Sequence, residues 1–540
     1  MRLKMKSKIL FSALLAFALV LSSCGMITFG TGTETEAVTK TEGAESTAET
    51  SGTGDPSVTS DKGETEDPYT VADKARERVG KLSNYDFGGQ NFIIATTSGM
   101  TFATDGDEYY DRVLLLRDSI VEEKYGIDII TISAAYSEIE QELRNAELSG
   151  DYYADLISVP EYRIGRLAVN GLIMNLRSLP FYGTVSSYSR NSSAAYAGNA
   201  IYADIGAASS DFSSIYAVFF NRSAAESLGY DLDKMVEDNE WTWDTFDRLA
   251  RMASERLGIV GQGSYSMGDE YTDVVFRSAN IALVDNTLGR VPEIAFDSDA
   301  LEATVELACS LIYGNPSAYK NTVSSEDDLY SLFGAGKLLF AIAPLREMER
   351  ISAYNVDWGV LPIPKVDESQ KHYYAYTEAS ANVLAVPLMN NKYEMTGILI
   401  GALNTASYEL LAEEYKVNCL YSYFSSIKAM RSMDAVLDSM TFDFTYLYSA
   451  GTELLAEATY GAVREARKSS SAYATDIINE RKDSANEELY ELFGAKSFPE
   501  EELPIFPETD DVTEENENIE TDIPEPEDSE AEIETETAEP

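Results

Sequence analysis

Between residues 91 and 173 the chain alternates short β-branched runs with stretches of helical period, and this alternation restricts the fold more than any other feature. "NFIIATTS" (91–98) reads as a strand running into a small polar loop. "EYYDRVLLLRDSIVEEKYGI" places apolar residues at helical spacing and reaches Gly126 near its end. "IDIITIS" (127–133) is a second strand, "EIEQELRNAELSG" a helix closed by Gly150, "ADLISV" (154–159) a third strand, and "RIGRLAVNGLI" a short helix. Strands alternating with helices predict parallel α/β layers. In such sheets ligands lie beyond the carboxyl ends of the strands, which singles out the loops starting Thr96-Thr97-Ser98 and Pro160-Glu161-Tyr162-Arg163. Further on, "IYAVFFNRSAAESLG" runs from strand to helix, and "DLYSLFGAGKLLFAIAP" is helix, glycine turn and buried strand. "WGVLPIPK" (358–365) is a strand broken by two prolines, "ANVLAVP" (381–387) another strand, and helices dominate from Lys392 to Phe493.

The two ends of the chain differ in kind from its middle. Arg2, Lys4, Lys6 and Lys8 precede an apolar run from Ile9 to Leu21, then Ser22, Ser23 and Cys24. That is the layout of a secretory signal over residues 1–23, with an apolar run too short for an ordinary membrane span. "LSSC" resembles the bacterial lipobox, in which the cysteine sulfur receives a diacylglycerol and becomes the new N-terminus. The plainer alternative is a signal peptide with an incidental cysteine. Residues 24–71, rich in Thr, Glu, Gly and Ser, hold too little apolar surface to fold and read as a flexible tether. From Ser497 to Pro540 there are 19 acids and no Lys or Arg, the composition of a solvated tail.

The remaining stretch, 72–496, is too long for one simple core, so two lobes are expected. A net charge of −51 argues against nucleic-acid binding, which needs clustered Lys and Arg. The single histidine, His372, rules out a histidine-rich metal cluster and reads as a surface residue. Cys309 and Cys419 are distant in sequence; they read as small buried hydrophobes, although a bridge between them is possible.

Four segments together resemble the family-1 extracellular solute-binding proteins, the sugar-binding lipoproteins and periplasmic proteins of ABC importers to which maltose-binding protein belongs. They are "YADLISVPEYRIGRLAVNGLI", "AVFFNRSAAESLGYD", "NEWTWDTFDRLARMA" and "DWGVLPIPKVDESQKHYYAYTEASANVLAVP". The likeness covers nearly all of residues 88–495; it departs at "YSYFSSIKAMRSMDAVLDSM", a loose match, and at the acidic tail, which is not a usual feature of the family. The resemblance implies a two-lobed α/β fold of the periplasmic-binding-protein type (class II), with a hinge between lobes. It divides the chain into an N-lobe of 72–210 and 366–420 and a C-lobe of 211–365 and 421–496. Crossings between lobes are expected near 205–218, 361–368 and 417–424.

The "WTW" of residues 241–243 holds two of the three tryptophans and could mark either a ligand platform or a scaffold. Thr242 sits where an N-cap belongs, and Asp244 in the first turn suits the positive helix end. Trp241 can pack on Phe246 as a hydrophobic staple, leaving Trp243 to bury itself. The pair is therefore expected to be scaffold, and Trp358, inside a strand, to be core.

A sugar site needs a flat aromatic ring and fixed polar groups. The resemblance places sugar-contacting side chains in the loop of Glu161, Tyr162 and Arg163. Thr97 and Ser98 end the first strand, and Tyr376 and Glu378 precede the strand "ANVLAVP", so these too are candidates. The expected activity is capture of a carbohydrate, with no catalytic residue and no cofactor or metal, by a monomer held outside the cell by lipid on Cys24. Its partners would be the transmembrane subunits of an ABC permease. Two alternatives stay open: a binding lipoprotein for a peptide, polyamine or cation, and a surface glycoside hydrolase, which needs two carboxylates about 5–10 Å apart.

Overall fold

The computed structural model describes residues 68–494, apart from 104–108, 184–191, 264–268, 314–318, 321–324, 378–380, 415, 417–422, 424–425 and 470–472. The signal segment, Cys24, Glu378, Cys419 and the acidic tail therefore lie outside the described residues, as does nearly all of the tether. The first described helix, Pro68–Gly80, begins inside the stretch expected to be tether. Proline suits the first helical position, where no N–H is required. Val71, Ala72, Ala75 and Val79 are buried, and the helix packs on helix Tyr393–Glu414.

Two separate sheets organise the chain. In the first, β1 (Gln90–Thr96) lies between β2 (Ile127–Ser133) and β3 (Leu156–Pro160) and runs parallel to both. Thr96 is level with Ser133 on one side and Ser158 on the other, so the three strands deliver their carboxyl ends to one edge. The helices between them are Tyr109–Tyr125 and Tyr136–Ser149, the second closed by Gly150 at φ 74°. A left-handed residue at that point costs glycine little.

The second sheet contains β4 (Tyr216–Asn221), β5 (Val260–Gly263), β6 (Tyr319–Lys320), β7 (Leu338–Pro344) and β8 (Trp358–Leu361), in the order β6-β5-β7-β4-β8. β7 is parallel to β5 and antiparallel to β4, with Pro344 opposite Tyr216. Every residue of β4 and β7 is buried, as expected for central strands covered on both faces. β8 stops at Leu361, short of the expected 365, because Pro362 and Pro364 offer no N–H to the ladder. The chain then returns, and β9 (Asn382–Ala385) joins the first sheet antiparallel to β3, with Asn382 opposite Pro160.

The "WTW" segment is scaffold. Thr242 caps helix Trp243–Met252, its hydroxyl accepting from the Thr245 N–H at 3.4 Å. Both indoles are fully buried. Trp241 donates to the Pro362 carbonyl and Trp243 to the Ser278 hydroxyl, each at 2.8 Å. Phe246 stacks on Phe340 of β7 with ring centres 4.5 Å apart and meets both indoles edge-on. Trp358 departs from its expected place in the core. β8 is an edge strand, so its indole is only half-buried; it packs on Phe219 and Tyr423 and lines a cavity of about 490 Å³ with Arg222, Tyr230, Asp231 and Asp357. Cys309 is likewise half-buried, its thiol facing the Arg467 carbonyl. His372 is exposed.

Two segments linking the sheets run side by side. Asp204 pairs with Leu384 at one end and Ile215 with Thr377 at the other, both antiparallel. This short ribbon links the two sheets and is called the hinge ribbon below. It pairs the expected crossing near 205–218 with Thr377 and Leu384, not with the expected 361–368, and the third expected crossing, near 417–424, falls almost wholly outside the described residues. Helix Tyr393–Glu414 before it packs against the first sheet's helices, and helix Ile427–Asp438 after it packs on β8. Among the described residues no helix is long and apolar enough to cross a membrane.

Candidate functional site

The carboxyl edge of the first sheet faces the hinge. Here Thr97 donates its hydroxyl to Asn382 Oδ1 at 3.0 Å, and Asn382 Nδ2 donates to the Ser158 carbonyl and hydroxyl at 3.1 and 3.0 Å. Thr101 continues the chain to Ser158 Oγ at 2.9 Å, and Ser98 Oγ accepts the Met100 N–H at 3.1 Å. The hydroxyls of Thr97 and Ser98 are thus engaged in shaping their own loop, which knits β1, β3 and β9 into a firm edge.

Glu161 follows β3 directly. Its backbone N–H donates to the Ala381 carbonyl at 2.8 Å, and its side chain turns into the protein with 1% exposure. Thr377, on the hinge ribbon, donates to Glu161 Oε1 at 3.2 Å, whereas Oε2 has no hydrogen-bond partner. Burial pushes the carboxyl up to about 8, against the pull of Arg277 and the Thr377 hydroxyl. At neutral pH it is therefore mostly the uncharged acid.

Tyr376, its neighbour on the ribbon, is buried as well. Its phenol shares a hydrogen bond of 2.6 Å with that of Tyr446, and the rings meet edge-on at 5.7 Å. Tyr216, at the start of β4, brings a third ring, 5.4 Å from Tyr376, and its hydroxyl bonds to Glu270. Desolvation, then the adjoining phenol, holds the Tyr376 pKa far above the ordinary range, so this phenol stays protonated.

Arg277 enters from helix Asp269–Ser278 with 6% exposure. Its Nη2 donates to the Thr441 carbonyl at 2.9 Å, and Nη1 lies 3.6 Å from Asp443 Oδ1, too far for a hydrogen bond. Burial works against its charge, but Tyr460, Asp443 and Glu161 outweigh that and keep it protonated. On the same helix, Asp273 forms a two-point ion pair with Arg464, Arg464 Nε meeting Oδ1 at 3.1 Å. Desolvation still lifts Asp273 to about 6. Beside Arg277 and Asp443 opens a groove of about 190 Å³, walled by Ser193, Asn280, Asn286 and Phe444.

The expected residues therefore separate. Glu161 and Tyr376 are brought together through Thr377, and the Thr97–Ser98 loop stands at the same strand edge. The guanidinium of Arg163 lies 4.6 Å from the ring of Tyr136, on helix Tyr136–Ser149, and 4.4 Å from the neighbouring ring of Tyr162. Tyr162 is thereby occupied with Arg163, and Glu378 lies outside the described residues. The chain reading missed Arg277, Tyr216, Thr377, Asp443 and Tyr446. The one signal available was "DEYTDVVFRS", where Asp273 and Arg277 stand four apart on a helix otherwise fit for burial. Among the described residues no group of three or more His, Cys, Asp or Glu is placed to hold a metal ion.

Residues 119–391, just over half of the chain, match a family model described as bacterial extracellular solute-binding protein. No curated protein sequence matches the chain. Among solved structures, the galacto-N-biose-/lacto-N-biose I-binding protein of an ABC transporter from Bifidobacterium longum, in complex with lacto-N-biose, aligns with a TM-score of 0.51 at 14% identity, over 76% of this chain and 98% of that one. The binding protein UgpB of Mycobacterium tuberculosis, with glycerophosphocholine, aligns at 0.46 and 15% identity, over 75% and 99%. An ABC transporter-associated binding protein of B. animalis subsp. lactis, with β-1,6-galactobiose, aligns at 0.44 and 14%, over 76% and 99%. The first likeness establishes a shared fold of two lobes.

Proposed function

The chain belongs to the bacterial extracellular solute-binding protein family, and from that premise we propose that it captures a carbohydrate between its lobes and delivers it to the permease subunits of an ABC importer. The observation that carries this reading is the meeting of the Tyr216, Tyr376 and Tyr446 rings with Glu161 and Thr377 at the ribbon that links the two sheets, with the Arg277 charge acting on the same carboxyl. A sugar has apolar C–H faces, which rings cover, and a rim of hydroxyls, which a carboxyl, a hydroxyl and a guanidinium can pair. The lacto-N-biose of the Bifidobacterium longum protein supports the ligand class.

The mechanism is capture without chemistry. The solute enters between lobes joined by the 204–216 and 375–384 ribbon, and closure buries it. A ligand that touches both lobes favours the closed state by its extra contacts there. The N-lobe comprises 72–210 and 366–420, the C-lobe 211–365 and 421–496; the return of β9 to the first sheet supports this division. A diacylglycerol on Cys24 moors a monomer to the outer face of the membrane, a reading supported by "LSSC" behind a basic and apolar leader.

Thermal unfolding of the purified chain with glycans, peptides, polyamines and Ca²⁺ tests the ligand class. A rise in Tm with a glycan alone, and no turnover of that glycan, is expected. A rise only with a peptide or polyamine would replace the proposal, and released sugar would restore the hydrolase. For the anchor, Cys24→Ala is expected to shed the protein into the medium; retention on the membrane would refute lipidation.

A further inference from the structure

The cavity of about 490 Å³ beside Trp358 lies apart from the residues gathered at the hinge ribbon. β4 starts at Tyr216, whose N–H donates to the Tyr376 carbonyl of the ribbon, and ends at Asn221, opposite Trp358 of β8. Five residues of strand span about 17 Å, so the cavity opens at the far end of the second sheet. Rings on its walls already carry cations: the Arg222 guanidinium lies 4.9 Å from the Phe220 ring, and that of Arg248 lies 5.3 Å from the Tyr230 ring. Trp358, half-buried, is the largest ring there, and indole is the best face for a cation. The charges on the walls do not balance. Glu226, Asp231, Asp233 and Asp357 stand against Arg222 and Lys428. Lys428 Nζ meets Asp231 Oδ2 at 2.8 Å; Arg222 bonds to Asp233, which also takes the Ser432 hydroxyl at 2.8 Å. Asp357 accepts the Ser223 hydroxyl at 3.3 Å but stands 3.8 Å from Arg222 Nε, too far for a hydrogen bond. The Glu226 side chain has no partner among the described residues. Two carboxylates are therefore left over.

We propose that this outer cavity is a second binding site, separate from the solute cleft, for a small organic cation carrying two alkylammonium groups. The enclosed volume and the ring wall make the site; the two uncommitted carboxylates set the charge of its ligand. One ammonium group pairs with Glu226 and the other with Asp357, and the methylene chain between them lies against Trp358. A single exposed ion pair contributes little, so binding depends on two charges acting together beside a ring. An anion fits poorly, because both lining cations already have carboxylate partners. No three of the lining carboxylates are grouped to hold a metal ion, which favours an elongated ligand over a compact one. The walls belong to the second sheet and its helices alone, so the cation binds alongside a captured solute and not in its place.

The test uses the full chain and calorimetric titration with putrescine and spermidine. Butanediol serves as the uncharged probe, Mg²⁺ at equal ionic strength as the inorganic dication, and a lysine-containing tripeptide as a stand-in for a basic partner chain. A diamine is expected to bind and butanediol is not. Glu226→Gln combined with Asp357→Asn, and separately Trp358→Leu, should each weaken the diamine about tenfold or more. Glu161→Gln, at the hinge ribbon, should leave its affinity unchanged. Glu226 is exposed and bonded to nothing, so Glu226→Gln alone should weaken the diamine about threefold or more with no change in melting. Failure of both amines to bind wild type overturns the site, and so does undiminished binding by the outer variants or a loss on Glu161→Gln, either of which moves the cation to the cleft. Equal binding of Mg²⁺ would reduce the effect to screening of the −51 charge and also overturns it. Binding of the tripeptide without the diamines would give the cavity to a basic partner instead. None of these results touches the carbohydrate reading.

Discussion

Asn404 holds Asp204 at the base of the hinge: its Nδ2 donates to Asp204 Oδ2 at 2.9 Å while its Oδ1 accepts the Ala208 N–H, also at 2.9 Å. Asp204 Oδ1 takes the Tyr182 hydroxyl at 3.0 Å, so the carboxylate bridges a helix, a loop and the hinge ribbon. Gly206 must be glycine here, since a Cβ would come within 2.3 Å of Asn404 Oδ1. Asn404→Ala breaks two buried hydrogen bonds and is expected to cost about 2–4 kcal/mol, read as a lower urea midpoint. An unchanged midpoint would show that the amide does not brace the hinge.

Glu161 makes stability depend on pH. Its folded pKa of about 8 exceeds the ordinary 4.5, so the folded state holds its proton more tightly than the unfolded chain. The resulting stabilisation is complete below the unfolded value and disappears as pH rises through about 8. Glu161→Gln cannot titrate. The wild type should therefore lose more Tm than the variant between weakly acidic and weakly alkaline buffer; parallel curves would contradict the assignment.

Arg464, partly exposed, pairs with the buried Asp273, and its loss leaves that carboxylate without its partner. Arg464→Met is expected to cost about 2 kcal/mol near neutral pH, since solvent reaches the arginine. The cost should shrink in acid, because Asp273, already raised to about 6 by burial, then carries a proton. Urea unfolding at both conditions measures this, and an equal cost at each would point to lost packing alone.

Trp243 separates scaffold from ligand contact. Trp243→Ala empties a fully buried site and should cost about 3–5 kcal/mol. Trp243→Phe keeps most of the volume and loses the bond to Ser278. Any glycan that stabilises wild type should raise the Tm of Trp243→Phe by the same increment. A smaller increment would give the indole a part in binding.

Local features of the chain were legible because local physics sets them. β1, β2 and β3 and their helices follow from period and composition, and the Thr242 cap follows from residue type at one position. Glu161 was singled out because it follows the end of a strand. Arg277 was not, because its place beside Thr441 and Asp443 depends on contacts between distant segments, and no periodicity reports that. Tyr446 lies in a late helical region whose pattern says helix without saying which side meets the hinge. The stacking of Arg163 on the ring of Tyr136 joins a loop to a helix, and residue spacing alone does not report it. Trp358 sits on an edge strand, and edge position is a matter of sheet order.

The pairing of β3 with β9 joins Val159 to Val383. During synthesis, β3 waits with one flank bare until the segment containing Val383 has been made, and the N-terminal half cannot finish folding before then. Such distant pairing slows folding, because the loop must close before the contact rewards it. Completion of the first sheet therefore hangs on a meeting of residues far apart in the chain, which makes its last strand a late arrival in refolding.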